Sequence, residues 1–110
     1  MDYKQQLYQK LAVATRVMNS EIKKQIIEVG AVDTGRMKNV TIVKIEWREG
    51  TSNLNININT TDYYKYVDEG TRHISPRDIT EKFMNRPKVE EQLGNVYEAL
   101  ALVEIFDMLD

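Results

Sequence analysis

A chain of 110 residues has room for one ordinary domain, spanning residues 1–110, and its 42% apolar content supplies one compact core. With no cysteine in the chain, disulfide frameworks and thiolate chemistry are excluded and a reducing compartment is expected. The net charge of −2 predicts neither nucleic-acid nor membrane binding.

The distribution of charge says more than its sum. Residues 1–50 carry nine Lys/Arg against six Asp/Glu, a balance of +3, while residues 51–110 carry six against eleven, a balance of −5. From Val89 to Asp110 there are six acids and no base, so that end would repel a phosphate backbone and suits solvent or a basic protein surface. No apolar run reaches the ~20 residues that span a bilayer. The opening Met1-Asp2-Tyr3-Lys4-Gln5-Gln6 is polar, so an intracellular chain with no signal peptide or membrane anchor is expected.

Tyr3 to Val29 reads as a long helix. Tyr3, Leu7, Leu11, Ala14, Met18, Ile22, Ile26 and Val29 recur at intervals of three or four, and Gly30 stops the pattern as a C-terminal glycine does. At ~1.5 Å per residue the helix is about 40 Å long. That is long for so small a domain, and part of it is expected to project towards another subunit. Asp33-Thr34-Gly35-Arg36-Met37-Lys38-Asn39 then makes a polar turn or short helical piece. In it Asp33 caps a helical turn and Gly35 relaxes the backbone.

Val40 to Arg48 alternates as a strand, with Val43, Ile45 and Trp47 on one face. After the turn Glu49-Gly50-Thr51-Ser52, a second strand puts Leu54, Ile56 and Ile58 inward and Asn53, Asn55, Asn57 and Asn59 outward. The two predict a β-hairpin with one buried and one wet face. Tyr63-Tyr64-Lys65-Tyr66-Val67 is rich in sheet-favouring residues and reads as a third strand, with one helical turn as the alternative. Half-buried sheet tyrosines are expected there; base stacking is disfavoured by the acids Asp62, Asp68 and Glu69 around them. Gly70 to Ser75 is expected to be an exposed loop, and Ser75-Pro76-Arg77-Asp78 a helix start with Ser75 as N-cap. Ile79 and Phe83 mark the buried face of that short helix.

A second long helix runs from about Pro87 to Met108, its seam formed by Val89, Leu93, Val96, Leu100 and Val103. From Ala99 a second apolar stripe adds Leu102, Phe106 and Leu109, more than one core face needs, which fits either a deeply buried terminal helix or a self-association surface. Gly94 inside this helix costs ~1 kcal/mol relative to Ala, so the close approach of a neighbour is expected to explain it. The fold predicted is α+β: a long N-terminal helix, an antiparallel sheet of three or four strands, a short helix, and a long C-terminal helix packed on the sheet.

Chemistry is thinly represented. Asp33-Thr34-Gly35 is the triplet that dimeric aspartic proteases use, but they need it on a buried loop between strands, whereas here it follows a helical segment. His73 is the sole histidine and lies beside Arg72, so neither a zinc site nor a Ser-His-Asp triad can be assembled around it. No enzyme, cofactor or metal is expected.

Two segments together carry a resemblance. Val32-Asp33-Thr34-Gly35-Arg36-Met37-Lys38 resembles the "V-D-T-G-x-L-R" segment of tail-completion proteins from the necks of long-tailed phages, the gene-product-ten-like minor tail components. About 25 residues on, Tyr63-Tyr64-Lys65-Tyr66-Val67-Asp68-Glu69-Gly70-Thr71 is similar to their "Y-A-x-Y-V-E-x-G-T" segment. A loop, Pro76 and a final helix follow in the family's order. Val40 stands where Ser is usual, Tyr64 where Ala is, and Asp68 where Glu is.

The resemblance implies a virion structural protein, assembled in the host bacterial cytoplasm, that forms a homo-oligomeric ring, commonly a hexamer. Its partners would be the head connector and the tail tube or tail terminator, without direct nucleic-acid or membrane binding. Asp33, Thr34, Gly35, Tyr66, Gly70 and Thr71 are its motif positions. The candidate interface residues are Arg72, His73 and Ile74 of the loop and Ala99, Leu102 and Phe106 of the last helix. A small bacterial protein-binding module is the alternative, and a protease built on Asp33 the third reading.

Overall fold

The protein is described from a computed structural model over residues 2–30, 34–70 and 78–109. The elements in order are α1 (Tyr3–Val29), α2 (Thr34–Val40), β1 (Ile42–Trp47), β2 (Leu54–Asn59), α3 (Asp62–Glu69), α4 (Ile79–Met84) and α5 (Pro87–Leu109). Among these described residues no helix is long and apolar enough to cross a membrane.

The axis of the molecule is α1. The Asp2 carboxylate accepts the Gln5 N–H at 2.8 Å and caps its first turn, and Gly30 ends it in the left-handed region at φ 59°. The expected stripe is the buried one: Leu7, Leu11, Ala14, Met18, Ile22 and Ile26 all lie in the core. α5 runs antiparallel along α1 and contributes Val89, Val96, Leu100 and Val103 to the same core. Stacking of Tyr3 on Phe106 marks one end of this helix pair, and contacts from Arg86 to Glu21 and Glu28 mark the other. α1 therefore does not project, since α5 covers nearly its whole length. The result is elongated, 56 × 22 × 21 Å with a radius of gyration of 16.2 Å, against about 13 Å for a compact chain of this length.

The sheet has two strands rather than three or four. β1 and β2 pair antiparallel with Val43 opposite Ile58, Ile45 opposite Ile56 and Trp47 opposite Leu54. The segment expected as a third strand is the helix α3. Thr61 accepts the Tyr64 N–H at 3.2 Å as its N-cap, Asp62 lies in the first turn, and Gly70 ends it at φ 80°. Tyr64 and Val67, three apart, form its buried face, so helical spacing and capping override the sheet preference of tyrosine. Tyr63 is half-buried and Tyr66 exposed on this helix.

The C-terminal helix packs on α1 and not on the sheet. What fastens the hairpin to α1 is Asn19. Its side-chain carbonyl accepts the Val43 N–H and its amide donates to the Val43 carbonyl, both at 2.8 Å. These are backbone groups that β1 turns away from β2, so one side chain satisfies that edge of the sheet at Val43.

The short helix α4 starts at Ile79. Ser75, Pro76 and Arg77 lie outside the described residues, and Asp78 occupies the capping position at φ 51° without a side-chain cap bond. The cap comes from α3 instead: Asp68 accepts the Thr80 N–H at 2.7 Å and the Thr80 hydroxyl at 3.0 Å. The Tyr64 hydroxyl lies 2.9 Å from Thr80 Oγ1, and burial, with the nearby Asp68 charge, pushes its pKa up to about 12. Gly35 sits inside α2 without a positive φ, and nothing lies within 4 Å of where a Cβ at Gly94 would be. Neither glycine is explained by a strained turn or a close neighbour in the chain.

Candidate functional site

Three elements meet at one end of the molecule: the first turns of α1, the hairpin turn between β1 and β2, and the last turns of α5. The hairpin turn is held by Lys4, whose Nζ lies 2.7 Å from Glu49 Oε1, and by an edge-on contact of Tyr8 with Trp47 at 5.7 Å. Hydrogen bonding to Glu49 raises the Lys4 pKa, and the same bond lowers that of Glu49. Both side chains are solvated, so the pair orients the turn more than it stabilises it.

Against this frame the last turns of α5 show more apolar surface than the core takes up. Leu102, Ile105, Phe106 and Met108 are 36% to 85% exposed. Phe106 is held by stacking on Tyr3, with ring centroids 4.2 Å apart and planes inclined by 15°. Three depressions surround the cluster. One of about 190 Å³ lies between α1 and α5, lined by Gln6, Lys10, Asn95, Glu98, Ala99 and Leu102. A second, between the hairpin turn and α5, is lined by Trp47, Thr51, Glu104, Asp107 and Met108 among others. A third, at Asp2, Tyr3 and Lys4, reaches Val103, Phe106 and Asp107. An apolar centre with a charged rim is the anatomy of a protein contact surface.

Of the residues expected at an interface, Ala99, Leu102 and Phe106 are brought together here. Ala99 is 7% exposed and forms a groove floor, so it shapes the surface without contributing much area, while Leu102 and Phe106 remain open. Ile105 and Met108 were missed by the sequence reading, although Ile105 follows Leu102 by three and belongs to the same stripe. The motif residues lie towards the opposite end. Gly35 is in α2, and Tyr66 and Gly70 are in and just after α3. Asp33, Thr71, Arg72, His73 and Ile74 lie outside the described residues, as does the Thr34 side chain, though its backbone opens α2.

That opposite end holds a polar cluster no sequence pattern announced. Arg86, just before α5, contacts Glu21 Oε1 at 3.4 Å, Gln25 Oε1 at 3.0 Å and Glu28 Oε1 at 3.0 Å. Lys24 Nζ stands 3.1 Å from the other Glu21 oxygen. Burial alone would raise the Glu21 pKa, but the neighbouring cations Lys24 and Arg86 outweigh it and hold the carboxyl below its ordinary value. The cluster ties the start of α5 to the last turns of α1. Among the described residues no three His, Cys, Asp or Glu side chains converge as metal ligands.

Comparison with known protein families, with characterised proteins and with solved structures finds no match to this chain.

Proposed function

We propose that the chain is an assembly subunit that works by binding other protein subunits, and that it serves as a structural protein of the phage head–tail joint or tail terminus. The observation that carries the binding role is the exposed cluster Leu102, Ile105, Phe106 and Met108 at one end of an elongated molecule. The phage setting is supported by the resemblance of the Val32–Lys38 and Tyr63–Thr71 segments alone. Head-to-tail rings need one patch to meet a different patch on the neighbour. The long separation between the α5 cluster and the motif residues near α2 and α3 suits that requirement. Within such a ring the partners are further copies of this chain, with a connector above and a tail-tube or tail-terminator protein below.

Light scattering coupled to size-exclusion chromatography, over a concentration series in low and moderate salt, tests the assembly role. A discrete multi-subunit species is expected that weakens as salt rises and loses subunits on Phe106→Asp. Identical masses for the wild type and Phe106→Asp at every concentration would overturn assembly through this end.

A further inference from the structure

The two edges of the hairpin differ in what lies beside them, since α1 packs against β1 far more than against β2. On β1 the outward N–H and C=O of Val43 are taken by Asn19. Because Val43 points its backbone groups away from β2, the ladder bonds fall on the alternate pairs Ile42–Asn59, Lys44–Asn57 and Glu46–Asn55. The hydrogen bond from Arg48 N–H to the Asn53 carbonyl at 3.3 Å continues that series. It follows that the N–H and C=O groups of Leu54, Ile56 and Ile58 point to the outer edge of β2, where no described residue pairs with them.

That edge also lacks the usual protection. Leu54-Asn55-Ile56-Asn57-Ile58-Asn59 carries no charge, proline or glycine, the devices that normally keep a free edge from pairing. α1 lies over β1 more than over β2, so Leu54, Ile56 and Ile58 are only half-buried on the inner face.

We infer that the free edge of β2 pairs antiparallel with β2 of a second copy about a two-fold axis through Ile56, giving a four-stranded sheet β1-β2-β2-β1. A strand can pair with itself well only if its residues match under reversal, and this one does. With Ile56 opposite Ile56 of the second copy, Leu54 falls opposite Ile58 and Asn55 opposite Asn57. Every apolar residue then meets an apolar one on the inner face, and every Asn meets an Asn on the outer face. The outward groups at these positions form reciprocal pairs, about six hydrogen bonds in all. No like charges are brought together, as an unrelated charged strand could bring. The two β1 strands would stand three strand spacings apart, about 14 Å, which leaves room for the two α1 helices on one face at the roughly 8–10 Å that packed helices need. The pairing does not depend on the α5 cluster, and it closes on itself as a two-fold contact must.

The test uses the full chain and light scattering, with far-UV circular dichroism as the check on folding. Ile56→Pro removes the outward N–H at the axis without taking a bond from the β1–β2 ladder, whereas Ile56→Val keeps it. The expected result is a two-fold fall in the mass of the species present for Ile56→Pro, with Ile56→Val unchanged and Phe106→Asp still dimeric. Register is read separately in a chain that has no cysteine of its own: Asn55→Cys mixed with Asn57→Cys should cross-link on oxidation far more than either alone. A folded Ile56→Pro with the wild-type mass, a wild type monomeric throughout, or equal cross-linking of the single variants would each overturn the pairing. A wild type monomeric throughout would overturn assembly through α5 as well, whereas the other two outcomes leave that assembly to be read by Phe106→Asp.

Discussion

Glu21 keeps its charge at 4% exposure, and it does so because Arg86 arrives from a segment 65 positions later. A carboxylate so placed is tolerable only while its counter-ions remain, since an unpaired buried charge costs far more than a pair returns. Arg86→Ala should therefore lower stability by about 3 kcal/mol, read as a drop in the urea midpoint. The pH dependence has a definite sign. The folded-state pKa of Glu21 is held below its ordinary value of 4.5, so its contribution is present above that pH and is lost as pH falls through the lower folded value. Glu21→Gln should show a flatter loss of stability below about pH 4.5 than the wild type, whatever its stability at neutral pH. Nothing local announces this cluster: Glu21 and Gln25 sit beside the apolar stripe of α1 and read as solvated until the other helix is present.

At the level of elements, the hairpin and the two long helices were legible because their periodicities are long and unambiguous. Leu7 to Ile26 keeps helical spacing through many turns, and Leu54 to Asn59 alternates without exception. α3 was misread because five residues of Tyr63 to Val67 are too few for period to decide, and composition then pointed to sheet. Thr61 before it and Gly70 after it were the better signals, since they satisfy backbone groups only a helix leaves open. How the hairpin is held was not legible at all. Asn19 is one polar residue on a helix until its amide meets Val43. Asn19→Ala should leave two partly buried backbone groups unsatisfied and cost about 1–3 kcal/mol, with faster amide exchange along β1. Gly94→Ala should act the other way. With open space where the Cβ would lie, it should raise stability by about 1 kcal/mol through helix propensity, read as a higher urea midpoint.

For the whole molecule, the antiparallel pairing of α1 and α5 changes what the charge asymmetry means. The basic first half and acidic second half do not form two poles, because their main helices lie side by side along the 56 Å length. Lys10 of α1 and Glu98 of α5 line the same groove. Salt-sensitive association of the kind tested with Phe106→Asp would therefore rest on a basic flank meeting an acidic one, with the apolar cluster at the tip supplying the anchor. The two candidate contacts are also separable in mass: loss of the tip should remove the larger assembly, and loss of the β2 edge should halve it.

By itself the sequence determined the existence, type and buried face of both long helices and the hairpin, and it marked Leu102 and Phe106 as surplus to one core. Those are properties of period and composition, which act along the chain. Only the tertiary structure decided that α5 covers α1 instead of the sheet, that α3 is helical, that Arg86 neutralises Glu21, and that Asn19 takes the outward groups of Val43 while the outer edge of β2 stays open. Each of these depends on which surfaces meet across long separations in sequence, and that choice belongs to the packed core as a whole.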